Sequence, residues 1–293
     1  MLKRDRFLTL RQAADQAAAP FPALMVEADQ IAASLSVGIH GRRRAGLGEG
    51  FWQYRPYHHE DPASAIDWRR SAQGDHVYVR ETEWEIAHAV WFWRDGRPGM
   101  DVRSTDTLQT KKDRATLCLM ALAKVLERGG ERLGVLDETR RLTQGRAGLE
   151  QVCHGLYDSA GAIEPVERAG LNRHSRVILA SDFLDPPDVW ARRLKSLQKE
   201  HVSGVLLRLI DPSEDDFPFI GRTRFRDPSG ADQPLLLGDA REARADYHAR
   251  WQRHGEALQA LAHGHGFQLI THRSDRPATQ AVMALHACLS GGR

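Results

Sequence analysis

Cysteine is scarce in this chain. Cys118, Cys153 and Cys288 are odd in number, far apart and free of any Cys-x-x-Cys pair, so a disulfide framework is excluded. Each lies in an apolar helical setting, such as Leu117-Cys118-Leu119, which predicts buried free thiols in a reducing compartment. Long apolar runs are also missing: none approaches the ~20 residues that span a bilayer. The N-terminus, Met1-Leu2-Lys3-Arg4-Asp5-Arg6, is basic, but no apolar stretch of a signal peptide follows it. The expected location is the cytoplasm, with no membrane span. Neither sign of charge dominates. A net charge of +2 over 293 residues gives no attraction for nucleic acid or an anionic membrane, and Arg42-Arg43-Arg44 reads as a solvated loop.

The composition that remains, 41% hydrophobic and 27% charged, is that of an ordinary globular protein long enough for a sizeable core. No internal repeat or low-complexity segment interrupts it. Residues 1–37 predict two N-terminal helices, one over the Ala- and Gln-rich positions 8–19. The second runs from Ala23 to Val37 with Leu24, Ala28, Ile31, Ala32 and Leu35 on its apolar face. Residues 38–85 change character. Gly, Pro and His separate short runs, Phe51 to Tyr57 and Val77 to Trp84, the second alternating with period two, which predicts a small β subdomain.

From residue 86 to the end, strands alternate with helices. Ala89-Val90-Trp91-Phe92-Trp93 is an apolar strand running straight into Asp95 and a small-residue turn. A helix follows from Leu108 to Glu127, ended by Gly129-Gly130. Arg132 to Leu136 is a strand and Gly145 to Leu156 a helix. Arg176 to Ala180 is a strand ending in Ser181-Asp182, and Pro186-Pro187 opens a helix through Lys199. Val202 to Ile210 is the next strand, Asp211 to Gly238 an edge hairpin, Ala240 to Ala262 a long helix, Gln268 to Thr271 a last strand and Pro277 to Leu289 a closing helix. The fold class is α/β, with a mostly parallel sheet and helices on both faces, Rossmann-like in kind. In such sheets ligands sit at the carboxyl ends of the strands.

Several marks carry a family resemblance: Gly46-x-Gly48-Glu49, Tyr54-Arg55-x-Tyr57, Asp61, Ile66-Asp67-Trp68-Arg69, Arg80-Glu81 and Asp95 through Met100. Ser181-Asp182-Phe183 and Asp211-Pro212-Ser213-Glu214 match as well. Together they cover most of positions 38–290. The chain resembles the family catalogued as domain of unknown function 58, a MoxR-associated group with a von Willebrand factor A-like domain. Many relatives carry two membrane helices ahead of this region, and none is expected here.

That resemblance implies a site for Mg²⁺ or Mn²⁺ at the sheet's carboxyl edge, built on an Asp-x-Ser-x-Ser loop, a threonine and a late aspartate. Hard divalent ions want such oxygen ligands. Asp95 matches the first position, but Arg97 and Gly99 stand where the serines would be. Asp182 matches the late aspartate, and the threonine falls near Thr143 to Ala147. A guanidinium cannot coordinate a cation. No metal or other cofactor is therefore expected; if one bound, Asp95 and Asp182 would hold it. Arg97 is expected to replace the ion by bridging Asp95 and Asp182.

Other candidates read as structure. His58-His59-Glu60-Asp61 is an exposed turn, and His263-Gly264-His265-Gly266 a helix C-cap. Gly46-x-Gly48-x-Gly50 lacks the strand and helix of a dinucleotide loop, and Gly145-Arg146-Ala147-Gly148 is a turn before a helix. Ser181 beside Asp182 has no histidine at a telling spacing. The charges Arg55, Asp67, Arg69, Arg80 and Glu81 among Trp52, Trp68 and Trp84 predict an ion-paired network or a docking face. The functional expectation is a non-enzymatic scaffold or adaptor with a degenerate metal-adhesion site. By resemblance it works with a MoxR-type AAA+ ATPase in assembling or maturing a protein client. It would dock through Asp95, Arg97, Gly99 and Asp182, extended by Trp52, Arg55, Trp68 and Arg69. The alternatives are an Mg- or Mn-dependent binding domain and an unrecognised hydrolase.

Overall fold

The structure is a computed structural model that describes residues 20–36, 45–46, 50–58, 61, 64, 66–72, 74, 76–83, 89–137, 141–158, 171–230 and 233–291. The helix expected over 8–19 lies outside these residues. The chain forms two compact units, Gly38–Ala87 and the remainder.

Helix α1 (Pro20–Ser36) belongs to the larger unit. In the smaller unit, β1 (Ala45–Gly46), β2 (Gly50–Pro56) and β3 (Tyr78–Glu83) form an antiparallel sheet in the order β1-β3-β2, with a bulge at Phe51/Gln53. Between β2 and β3 the Asp67 carboxylate accepts from Arg70 N and caps the short helix α2 (Trp68–Ser71).

The larger unit opens its sheet with β4 (Ala89–Arg94), followed by a 3₁₀ turn at Pro98–Asp101 and helix α3 (Lys111–Arg128). Strand β5 (Arg132–Val135) and an antiparallel edge strand β6 (Leu142–Gln144) come next, then α4 (Gly145–Asp158). The chain continues through β7 (Arg176–Ser181), α5 (Pro187–Lys199), β8 (Ser203–Ile210) and α6 (Pro212–Asp216). A separate two-stranded sheet, β9 (Thr223–Phe225) and β10 (Leu235–Leu237), precedes α7 (Ala240–Gly264), β11 (Phe267–Arg273) and α8 (Ala278–Gly291).

The main sheet runs β11-β8-β7-β4-β5-β6, parallel except for β6. Helices cover both faces, as the α/β reading expected, and the architecture is consistent with a von Willebrand A-like domain. Alternation along β4 divides the core. Val90 and Phe92 join α1, α3, α4 and α8 on one face, while Trp91 and Trp93 join α5 and α7 on the other. Edge-to-face stacking of Trp190 on Trp93 (6.0 Å) and Phe183 (4.6 Å) anchors the second layer. Gly204 on β8 is required by a close approach: a Cβ there would lie 1.8 Å from the Val177 carbonyl oxygen.

Two local expectations are corrected. Helix α3 does not bury one apolar side only, since every residue from Ala115 to Leu126 is buried. Helix α1 covers its outer face, where Lys124 Nζ bonds Asp29 and the Met25 carbonyl (3.2 Å). The hairpin expected over Asp211–Gly238 forms a separate two-stranded sheet, and among the described residues the main sheet's edges are β11 and β6.

Candidate functional site

From β4 the chain passes to β5 on one side, whereas β7, β8 and β11 build outward on the other. The carboxyl ends of β4 and β7 therefore flank the switch point, where such sheets bind ligands. Asp95 leaves β4 there, its N–H bonded to the Ala180 carbonyl (2.8 Å), and Asp182 follows β7. Both carboxylates are buried.

Asp95 is saturated. Its oxygens accept from Arg97 N (2.9 Å), Arg97 Nε (3.0 and 3.1 Å), Arg97 Nη2 (2.7 Å) and Ser181 Oγ (2.7 Å). Burial opposes its ionisation, but the bonds from Arg97 and Ser181 outweigh burial and hold the carboxyl below its ordinary value. The bonds to Asp95, and a further one to Asp185, raise the Arg97 pKa.

Arg97 does not reach Asp182. Its Nη1 donates instead to Asp185 Oδ1 (2.7 Å), so the expected bridge exists with a different second carboxylate. The cause is the turn after β7: Phe183 takes a left-handed conformation (φ 52°), its ring buried on Trp190 and its carbonyl bonded to His254 Nε2 (2.7 Å). The chain turns out of the sheet and brings Asp185 to Arg97.

Asp182 has another cation. Lys111, the first residue of α3 and 1% exposed, places Nζ 3.2 Å from Asp182 Oδ2 and 2.6 Å from Glu214 Oε1. Glu214 completes a capping box on α6, its Oε2 accepting from Asp211 N (2.8 Å). Asp211 accepts from Ser104 N (2.9 Å), Ser213 N (2.9 Å) and Ser213 Oγ (2.7 Å). Burial again opposes ionisation of Asp211, and these donors again win. One signal in the sequence points to Lys111: Lys111-Lys112 stands in the first turn of a helix, where the macrodipole disfavours cations. A lysine so placed needs carboxylates nearby.

Of the other expected residues in the larger unit, Gly99 borders this cluster and Thr143 does not. Gly99 faces it, since a Cβ there would lie 3.1 Å from Asp182 Oδ2. Thr143 lies on edge strand β6 opposite Leu133, which pairs with Val90 near the start of β4, and its hydroxyl bonds Gln151 Oε1 (3.0 Å). It is at the wrong end of the sheet to serve an ion beside Asp95. In the smaller unit Arg55 grips Asp61 (2.6 and 2.7 Å), while Trp68 (66% exposed) and Arg69 face outward. Arg70 stacks on the Tyr54 and Tyr78 rings. The side chains of Trp52, Arg80, Glu81 and Trp84 lie outside the described residues.

This donor set does not suit a divalent ion. Among the described residues no group of three or more His, Cys, Asp or Glu side chains is arranged to hold one. A divalent ion about 4 Å from the Lys111 ammonium would be repelled by roughly 8 kcal/mol at an effective dielectric of about 20.

The family model described as "Protein of unknown function DUF58" matches residues 53–257. The chain belongs to this family. Its model spans most of the chain, from β2 of the smaller unit into α7 of the larger. A comparison with curated proteins gives no match. Among solved structures the chain is similar to an aerotolerance-related membrane protein from Bacteroides fragilis (12% identity, TM-score 0.43). It is similar also to the conserved hypothetical protein BatB from Bacteroides thetaiotaomicron (11%, 0.41). Each likeness covers 70% of this chain and 99% of the other. At these scores neither transfers a property to this DUF58 protein. No helix of the described residues is long and apolar enough to cross a membrane.

Proposed function

We propose that this DUF58 protein is a non-enzymatic cytoplasmic adaptor that docks other proteins through the carboxyl edge of its main sheet. The reading rests chiefly on Asp95, whose oxygens are occupied by Arg97 and Ser181, leaving neither a free base nor an open coordination position. Ser181 donates its hydroxyl to Asp95 rather than to a histidine, which supports the non-enzymatic reading. Beside this closed centre stand Arg97 and Leu184, each 47% exposed, an arginine and an apolar side chain of the kinds that anchor interfaces. Trp68, Arg69 and Tyr54 offer a second surface on the smaller unit.

The partner we propose is a MoxR-type AAA+ ATPase, with a protein client to be assembled or matured. Purified ATPase should bind the immobilised protein in EDTA as well as in Mg²⁺ when nucleotide is absent. Leu184→Glu should weaken that binding at least about tenfold with the melting temperature preserved, since Leu184 is exposed. Binding that is abolished by EDTA and restored by Mn²⁺ would favour the metal-dependent alternative. Undiminished binding by Leu184→Glu would move the docking surface away from this edge.

A further inference from the structure

The loop after β4 lies against the ends of β4 and β7 and carries an arginine where it meets Asp95. Position 99 faces Asp182, 3.1 Å from an ideal Cβ, and Arg97 N bonds Asp95 (2.9 Å). What lies between the loop and the strand ends is charge from side chains. Asp95, Asp182, Asp185 and Glu214 supply four carboxylates, the buried Arg208 lies close enough to interact with Asp182 and Glu214, and Arg97 and Lys111 pair with two carboxylates each.

Lys111 is the less expected of the pair. It is buried, sits at the helix end where the dipole opposes a cation, and reaches the same Asp182 oxygen that Gly99 faces. Burial of an ammonium is tolerated only when carboxylates compensate it, and here Asp182 and Glu214 do so from two different segments. The ammonium joins the start of α3, the end of β7 and helix α6, while the guanidinium joins the β4 loop to the turn after β7.

We infer that Lys111 is a built-in cation that occupies, with Arg97, the place a divalent ion would take. The carboxyl edge is thereby held assembled at all times, and metal has no part in opening or closing it. Substituting the ammonium would turn Asp182 and Glu214 into a vacant pair of hard oxygen donors able to take Mn²⁺ or Mg²⁺. The inference is independent of the adaptor reading, because its measurements involve no partner.

The test is thermal unfolding of the full chain in EDTA and in millimolar Mn²⁺. The wild type should melt at one temperature in both. Lys111→Met should melt several degrees lower in EDTA and recover in Mn²⁺, and Lys111→Met/Asp182→Asn should lose that recovery. A wild-type rise with Mn²⁺ that Asp182→Asn abolishes would overturn the inference. So would a Lys111→Met protein as stable as wild type in EDTA, or one destabilised with no rescue by metal, which is how any structural lysine would behave. If Lys111→Met does not fold, calorimetric titration of the wild type with Mn²⁺ decides: saturable binding heat overturns the inference, and its absence supports it.

Discussion

Arg97 holds two carboxylates that the chain separates widely, Asp95 two positions away and Asp185 88 positions away. Removing it would leave Asp95 buried with Ser181 as its remaining side-chain donor. Arg97→Ala should therefore cost about 2 kcal/mol, between an exposed pair and a buried one, measured by urea unfolding. An unchanged midpoint would mean the bridge contributes nothing. His272 supplies a pH-dependent term. Burial pushes its imidazole from 6.5 down to about 4, with Arg114 adding repulsion, and its buried Nε2 has no partner among the described residues. Between these values the unfolded chain binds a proton that the folded chain refuses, so stability falls as pH drops from 6.5 towards 4. The loss should reach roughly 3 kcal/mol, and His272→Leu should flatten that part of the profile. The depressed carboxyls of Asp95 and Asp211 act in the same direction at lower pH, where their protonation removes the bonds they accept.

At the scale of elements, α3 connects the site to the rest of the larger unit. Its first residue is Lys111, its middle is buried throughout, and Lys124 and Arg128 near its end bind α1. Thr110 Oγ1 caps it, accepting from Asp113 N (3.0 Å). Thr110→Ala should cost about 1 kcal/mol in chemical unfolding and loosen the Lys111 pairs that start one residue later. Strand β8 is constrained in another way. With Val177 O at 1.8 Å from any Cβ at position 204, Gly204→Ala forces β7 and β8 apart. Its expected cost is about 3 kcal/mol or more, visible as a lower melting temperature or loss of soluble protein. Strands β4 and β7 were legible in the sequence because buried parallel strands are apolar throughout. Strand β6 was not, since Leu142-Thr143-Gln144 is too short and too exposed to show a period.

Across the whole molecule, the buried thiols report on the integrity of the larger unit. Cys118 and Cys153 lie in the layer that joins α1, α3, α4 and α8, and burial pushes their thiols up to about 12 and about 11. A thiol reagent should modify Cys288 first, as it is half-buried, and reach Cys118 and Cys153 only at the rate of global unfolding. Fast labelling of all three under native conditions would mean that this layer opens locally.

The sequence by itself determined the alternation of strands and helices, the two aspartates at strand ends and the presence of an arginine and a glycine, Arg97 and Gly99, in the loop after the first of them. Each of these is written within a few consecutive residues, in hydrophobic period, cap chemistry or residue type. Tertiary structure decided which charge meets which. Lys111 finds Asp182 and Glu214 across separations of 71 and 103 residues, and Arg97 takes Asp185 because the left-handed turn at Phe183 carries it there. Pairing between buried charges depends on strand order and on where a turn points a side chain, and neither has a local period to read.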